Sequence, residues 1–195
     1  MDGRRTVGRY RAIDLSLFAL MLTVSETVMV SAATKWFPGE AYTVSAVGAV
    51  TAIVMMRWGP WSAIHAALGG AVTCFASKAT GQQYAVYCCG NLLGLGALGL
   101  KKAMGAEDIR QDALKSMFFG LVTLLLMQLG RAGMALIFGA AATAAAGFFT
   151  TDVISLLFTL AVVWVARRLD GIFEDQRHYL LRLAEERERE RGGFR

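Results

Sequence analysis

A few polar and ionisable residues stand inside otherwise apolar runs of this chain: Glu26, His65, Asn91, Gln128, Arg131 and Asp152. An ionisable side chain in hydrocarbon must protonate, pair or meet a ligand, so each is a candidate for function. Glu26 and Arg131 admit two readings. They bind each other as a buried structural ion pair, or they offer opposite charges to a small solute. Further polar and aromatic residues, Lys35, Trp36, Glu40, Tyr42, Lys78, Gln82, Gln83 and Tyr84, fall in or beside the short breaks near the same helix ends. Apolar and aromatic walls with a few directed polar groups describe a small-ligand pocket. Its expected contacts are Glu26, Trp36, Lys78, Gln82, Asn91, Gln128 and Arg131, with Trp36 stacking on a ring.

Catalysis finds little material. The sequence has no Gly-x-Ser-x-Gly elbow and no His-Glu-x-x-His run. Of its two histidines, His65 reads as a hydrogen bonder between helices, and His178 lies in the charged tail. Glu26 and His65 belong at opposite depths, which argues against a shared active site. No phosphate-cradling loop is present, so ATP hydrolysis would need another subunit. Cys74, Cys88 and Cys89 fall in apolar runs and read as small hydrophobes. No enzyme, cofactor, metal site or nucleic-acid partner is expected.

These side chains need a membrane scaffold to hold them. The chain has 195 residues, of which 55% are hydrophobic and 18% charged, and its mean hydropathy is +0.47. The charges collect at the two ends and in short breaks, the pattern of an all-helical polytopic membrane protein. Expected spans run over about 13–34, 41–56, 61–77, 84–100, 116–130 and 151–165. The loops are 35–40 and 78–83, the longest polar break is 101–115, and 132–150 reads either as a seventh span or as the end of the fifth, a loop and the start of the sixth. Six spans with both ends inside leave Lys35, Lys78 and Arg131 outside and the other 17 of the 20 basic residues inside. Seven would put the basic tail outside, so the positive-inside rule selects six. The expected division is a basic N-terminus (1–11) that is not a cleaved signal, a membrane domain (12–169) and a charged helical tail (170–195). Leu169, Ile172, Phe173, Leu180 and Leu183 give that tail a partial apolar stripe. It reads as a solvated helix with i,i+4 ion pairs or as a docking element.

The stretch RWGPWSAIHAALGGAVTCFASK (57–78) carries the clearest packing signal. Gly59 and Pro60 end one apolar run and start the next, between Trp58 and Trp61. Small residues follow at helical spacing: Ala63, Ala67 and Ala71 on one row, Ala66 and Gly70 on another. Such rows let helix backbones approach closely in a membrane.

The length, the six spans and this junction resemble the substrate-binding S components of energy-coupling factor (ECF) vitamin transporters. The resemblance implies a bacterial plasma-membrane protein that captures a vitamin or similar micronutrient at its outer face, with loops 35–40 and 78–83 as lids. It further implies partners, a transmembrane coupling subunit and two ATPases, and toppling in the membrane to release the solute. The family's Ala-x-x-x-Ala contact on the first helix is replaced here by Ala12-x-x-x-Ser16 and the row Ala19, Thr23, Thr27 and Ser31. The Met-His start of the nickel and cobalt branch is absent, since Asp2 follows Met1. Polar rings of a channel and inverted repeats of a secondary transporter are not visible. A non-transporting six-helix scaffold is the alternative.

Overall fold

The computed structural model describes residues 2–38 and 44–192. Among these the chain is all-helical, in the order α1 Asp2–Trp36, α2 Val47–Trp58, α3 Ser62–Ala76, α4 Gly81–Asn91, α5 Leu98–Met104, α6 Ala106–Gln111, α7 Ala113–Ile137, α8 Ala142–Thr150, α9 Val153–Ala166 and α10 Gln176–Gly192. Three stretches are long and apolar enough to cross a membrane: Val7–Trp36, Ala113–Ile137 and Ala142–Ala166.

Helix α2 forms the centre. All of its residues are buried, including Thr51 and Arg57, because its run VGAVTAIVMM is apolar on every face, as a helix surrounded by others must be. Helices α1, α3, α7 and α9 pack around it. Helix α1 turns Phe18, Leu22 and Glu26, spaced four apart, inward, while Leu17, Leu20, Met21, Val24 and Val28 remain exposed. That exposed row is the surface that lipid would cover.

Several expected boundaries shift. Helix α1 starts at Asp2, so residues 2–11 of the basic segment are part of the first helix instead of preceding it; no proline interrupts the run before Pro38. Helix α2 begins at Val47 rather than near 41, and the backbone N–H of its N-cap, Ala46, serves Glu26, as described below. Residues 39–43, with Glu40 and Tyr42, lie outside the described residues. The Gly59–Trp61 turn is a short 3₁₀ segment in which Gly59 adopts φ +60, the left-handed region that glycine tolerates best. The expected fourth span is a rod in pieces, α4 joined through 3₁₀ residues Leu92–Ala97 to α5. The polar break 101–115 contains α6, whose Ile109 is fully buried.

The ambiguous stretch 132–150 resolves into the end of α7, a turn with Gly139 at φ +83, and α8. With nine residues, α8 is about 14 Å long at ~1.5 Å per residue, half of a hydrocarbon core of about 30 Å. It leads into α9 through a break at Thr151 and Asp152. The tail is not free at its root. Phe173 is fully buried and packs edge-on against Phe119, ring centroids 6.3 Å apart, so the boundary expected at 170 falls within packed structure.

Glycines set the closest crossing. A Cβ on Gly130 would lie 2.0 Å from the Gly90 carbonyl oxygen, and one on Gly90 would lie 2.6 Å from the Arg131 nitrogen. Helices α4 and α7 therefore touch backbone to backbone, which only residues without side chains permit. In α3, Ala66 and Gly70 are buried, Ala63, Ala67 and Ala71 half-buried, and a Cβ on Gly70 would meet the Tyr87 backbone at 2.7 Å. Ala12 and Ser16 of α1 are exposed.

Candidate functional site

The helices enclose a cavity of about 480 Å³ near the C-terminal end of α1, lined by Glu26, Val30, Phe37, Pro38, Ser45, Thr73, Tyr87, Arg131, Phe148 and Asp152, among others. Glu26 stands in its wall and is fully shielded from solvent. The carboxyl accepts hydrogen bonds from Thr73 Oγ1 (2.6 Å), Ser45 Oγ (2.9 and 3.1 Å to its two oxygens) and the Ala46 backbone N–H (2.8 Å). Three donor groups and, among the described residues, no acceptor form the bonding pattern of an acceptor-only carboxyl group. Ala46 is the N-cap of α2, so its N–H has no carbonyl of its own helix to bond and is given to Glu26 instead.

Arg131 faces the same cavity but does not bind Glu26. Its Nε donates to Asn91 Oδ1 (2.7 Å) and its Nη1 to Asp152 Oδ2 (3.1 Å), and its guanidinium lies 5.1 Å from the Tyr87 ring centre. Its remaining nitrogen, Nη2, has no hydrogen-bond partner among the described residues. Asn91 in turn donates to the Ala66 carbonyl (3.0 Å), and Gln128 reaches Asp152 at 3.4 Å. The break between α8 and α9 turns Asp152 inward to receive these donors. The Gly90–Gly130 contact brings the next residue of each helix, Asn91 and Arg131, into bonding range.

The expected contact residues therefore separate into three groups. Glu26 and Arg131 line the cavity. Asn91 and Gln128 stand behind it and hold Arg131 and Asp152. Trp36, Lys78 and Gln82 do not line it. Trp36 is 70% exposed at the end of α1, Lys78 occupies an exposed turn at φ 55, and Gln82 donates to the Phe138 carbonyl at 3.0 Å. The aromatic wall is instead Tyr87 with Phe148, ring centroids 5.8 Å apart. From the first expected lid, Phe37 and Pro38 reach the cavity; of the second, 78–83, no residue lines it, and only Ser77, at the end of the helix before it, does.

Ser45, Thr73, Tyr87 and Phe148 escaped the sequence reading. Tyr87 had a usable signal, since it precedes Asn91 by four residues and shares its helix face. Thr73 and Ser45 carried none, because hydroxyls in apolar helices usually bond their own backbone. Thr73 also lies 2.9 Å from the Gly69 carbonyl.

His65 sits apart from the cavity, its Nε2 3.0 Å from the Leu15 carbonyl across the α1–α3 contact. Among the described residues no three His, Cys, Asp or Glu side chains gather as metal ligands. No protein family, curated protein or solved structure matches the chain. The side-chain geometry thus carries the functional reading.

Proposed function

We propose that this protein captures a small polar solute in the Glu26–Arg131 cavity of a six-span membrane bundle. The energetic role we assign is that of an S component, handing its solute to a coupling subunit and ATPases of the ECF type. The observation that carries the reading is a buried carboxyl and a buried guanidinium that share one cavity without binding each other. A charge held in apolar surroundings costs several kcal/mol unless compensated, and a solute supplies that compensation.

The cavity's charges define the solute class. Glu26 and Asp152 against Arg131 leave one negative charge in excess. The solute presents a cation or N–H donors toward Glu26 and an acceptor toward Arg131 Nη2. Tyr87 and Phe148 offer a ring face between them. Orientation follows from the charges at the other end of the bundle, where Arg57, Lys101, Arg110 and Arg182 gather; the positive-inside rule puts that end in the cytoplasm and opens the cavity outward. The exposed Arg177, His178 and Leu181 of helix α10 support the alternative, a scaffold that holds a partner through its tail.

The experiment is mass spectrometry of small molecules released from protein purified in mild detergent, followed by titration of the compound found. Binding at micromolar Kd or tighter, weakened at least about tenfold by Arg131→Ala, is the expected outcome given ~1.5–3 kcal/mol for a hydrogen bond to a charged group. Unchanged binding in both Glu26→Ala and Arg131→Ala removes the cavity from consideration. Purification with cytoplasmic partners and no solute favours the scaffold.

A further inference from the structure

A second cavity, of about 560 Å³, opens at the other end of the bundle; Arg11, Arg57, Trp61, Lys101, Lys102 and Arg177 are among the residues that line it. Arg11 and Val30, which line opposite cavities, are separated along α1 by about 28 Å at ~1.5 Å per residue, close to a hydrocarbon thickness of about 30 Å. The volume falls within the range of small-ligand sites, roughly 300–1,000 Å³.

The basic residues here play two roles. Arg57 and Lys101 are saturated. Arg57 bonds Asp14 through Nε (2.8 Å) and Nη2 (2.7 Å), and its Nη1 donates to the Gly171 and Ile172 carbonyls. Lys101 donates to the Met56 carbonyl (2.7 Å) and to Asp175 (3.0 Å). They form a rigid floor. Arg11, Lys102 and Arg177 have no carboxylate partner among the described residues. Arg11 is stacked on Trp61, its guanidinium carbon 4.3 Å from the ring centre, which orients the group and leaves its N–H donors free. Five basic residues against Asp175 and the Asp14 that neutralises Arg57 leave an excess of three positive charges. The two tryptophans at the turn complete the combination found where headgroups meet hydrocarbon.

From this geometry we infer that the second cavity binds a phosphate-bearing anion, with Arg11, Lys102 and Arg177 as its ligands. Arg11 offers a planar fork that matches two phosphate oxygens, and Lys102 and Arg177 add charge. An anionic phospholipid headgroup and a soluble phosphate share this chemistry. A basic pocket between membrane helices is the recognised form of the lipid case.

The test uses the full chain, delipidated in detergent. Native mass spectrometry counts retained phosphatidylglycerol and phosphatidylcholine, with inorganic phosphate as the soluble competitor. The triple variant Arg11→Gln, Lys102→Gln, Arg177→Gln is compared with a charge-matched control, Lys35→Gln, Lys78→Gln, Arg189→Gln, whose residues are exposed elsewhere. The wild type and the control should retain the anionic ligand, and the site variant should bind it about a hundredfold more weakly, since each basic group near an anionic surface contributes roughly fivefold. Displacement of the lipid by millimolar phosphate, or binding of phosphate alone, assigns the site to a soluble anion; resistance to displacement assigns it to lipid. Equal retention of the two lipids by the wild type without phosphate binding overturns the inference. Equal behaviour of the two triple variants, at any level, does so as well.

Discussion

The two ends of the bundle bury similar residues for different ends. Beside the second cavity, Arg57 meets Asp14, whose Oδ2 also accepts from Trp58 Nε1 (2.5 Å), while farther along the tail root Arg110 and Arg182 both reach Glu174. Around Arg57 and the root of the tail, charge is closed on itself or on backbone carbonyls and clamps the tail to α1, α2 and α6, whereas Arg11, Lys102 and Arg177 in the cavity beside it have no carboxylate partner among the described residues. At the first cavity, among the described residues, Glu26 has donors but no cation, and Arg131 keeps one nitrogen without a hydrogen-bond partner. Complete pairing marks a structural joint, and incomplete pairing around a void marks a place for a ligand. Chemical type alone does not distinguish them.

This contrast can be broken experimentally. The largest effect belongs to Arg57→Met, which takes from Asp14 its cation, leaving it the Trp58 N–H, and removes a donor from the Gly171 and Ile172 carbonyls. Removing one partner of a buried ion pair costs about 3–5 kcal/mol, so thermal unfolding in detergent should shift down strongly, with solute affinity of the folded fraction unchanged. Lost affinity with intact stability would reverse the assignment of the two ends.

Gly130→Ala should come next. Its Cβ would fall on the Gly90 carbonyl, and overpacking costs about 1–3 kcal/mol or more. Gly147, in α8, has open space around its would-be Cβ, so Gly147→Ala should be neutral or stabilise by roughly 0.5–1 kcal/mol. Equal unfolding temperatures for the two variants would show that the α4–α7 crossing is not tight. The same crossing positions Asn91 against Arg131, so Gly130→Ala should also weaken solute binding.

Glu26→Gln sharpens the comparison. The amide keeps the shape but turns an NH₂ toward donors at Ser45, Ala46 or Thr73, at a cost of about 1–3 kcal/mol. Binding of a cationic or donor-bearing solute should fall by more than stability does, roughly tenfold or beyond. A stability loss with full binding retained would make Glu26 structural. The smallest effect is expected for Trp36→Ala. At 70% exposure, Trp36 should alter unfolding by no more than about 0.5 kcal/mol and leave solute affinity as it was.

Much was already written in the residues themselves. The apolar runs, the uneven charge and the Gly59–Pro60 turn follow from local composition, so the helical membrane character and the candidates Glu26 and Arg131 were visible in the sequence. The tertiary structure alone decided who meets whom. Arg131 chose Asp152 and Asn91 over Glu26 because the Gly90–Gly130 contact and the break at Thr151–Asp152 bring those groups within reach. Ser45 and Ala46 reach Glu26 from nineteen and twenty positions along the chain. Hydropathy and helix periodicity act over a few neighbouring residues, whereas hydrogen bonding and charge pairing are settled at 3 Å between helices distant in sequence.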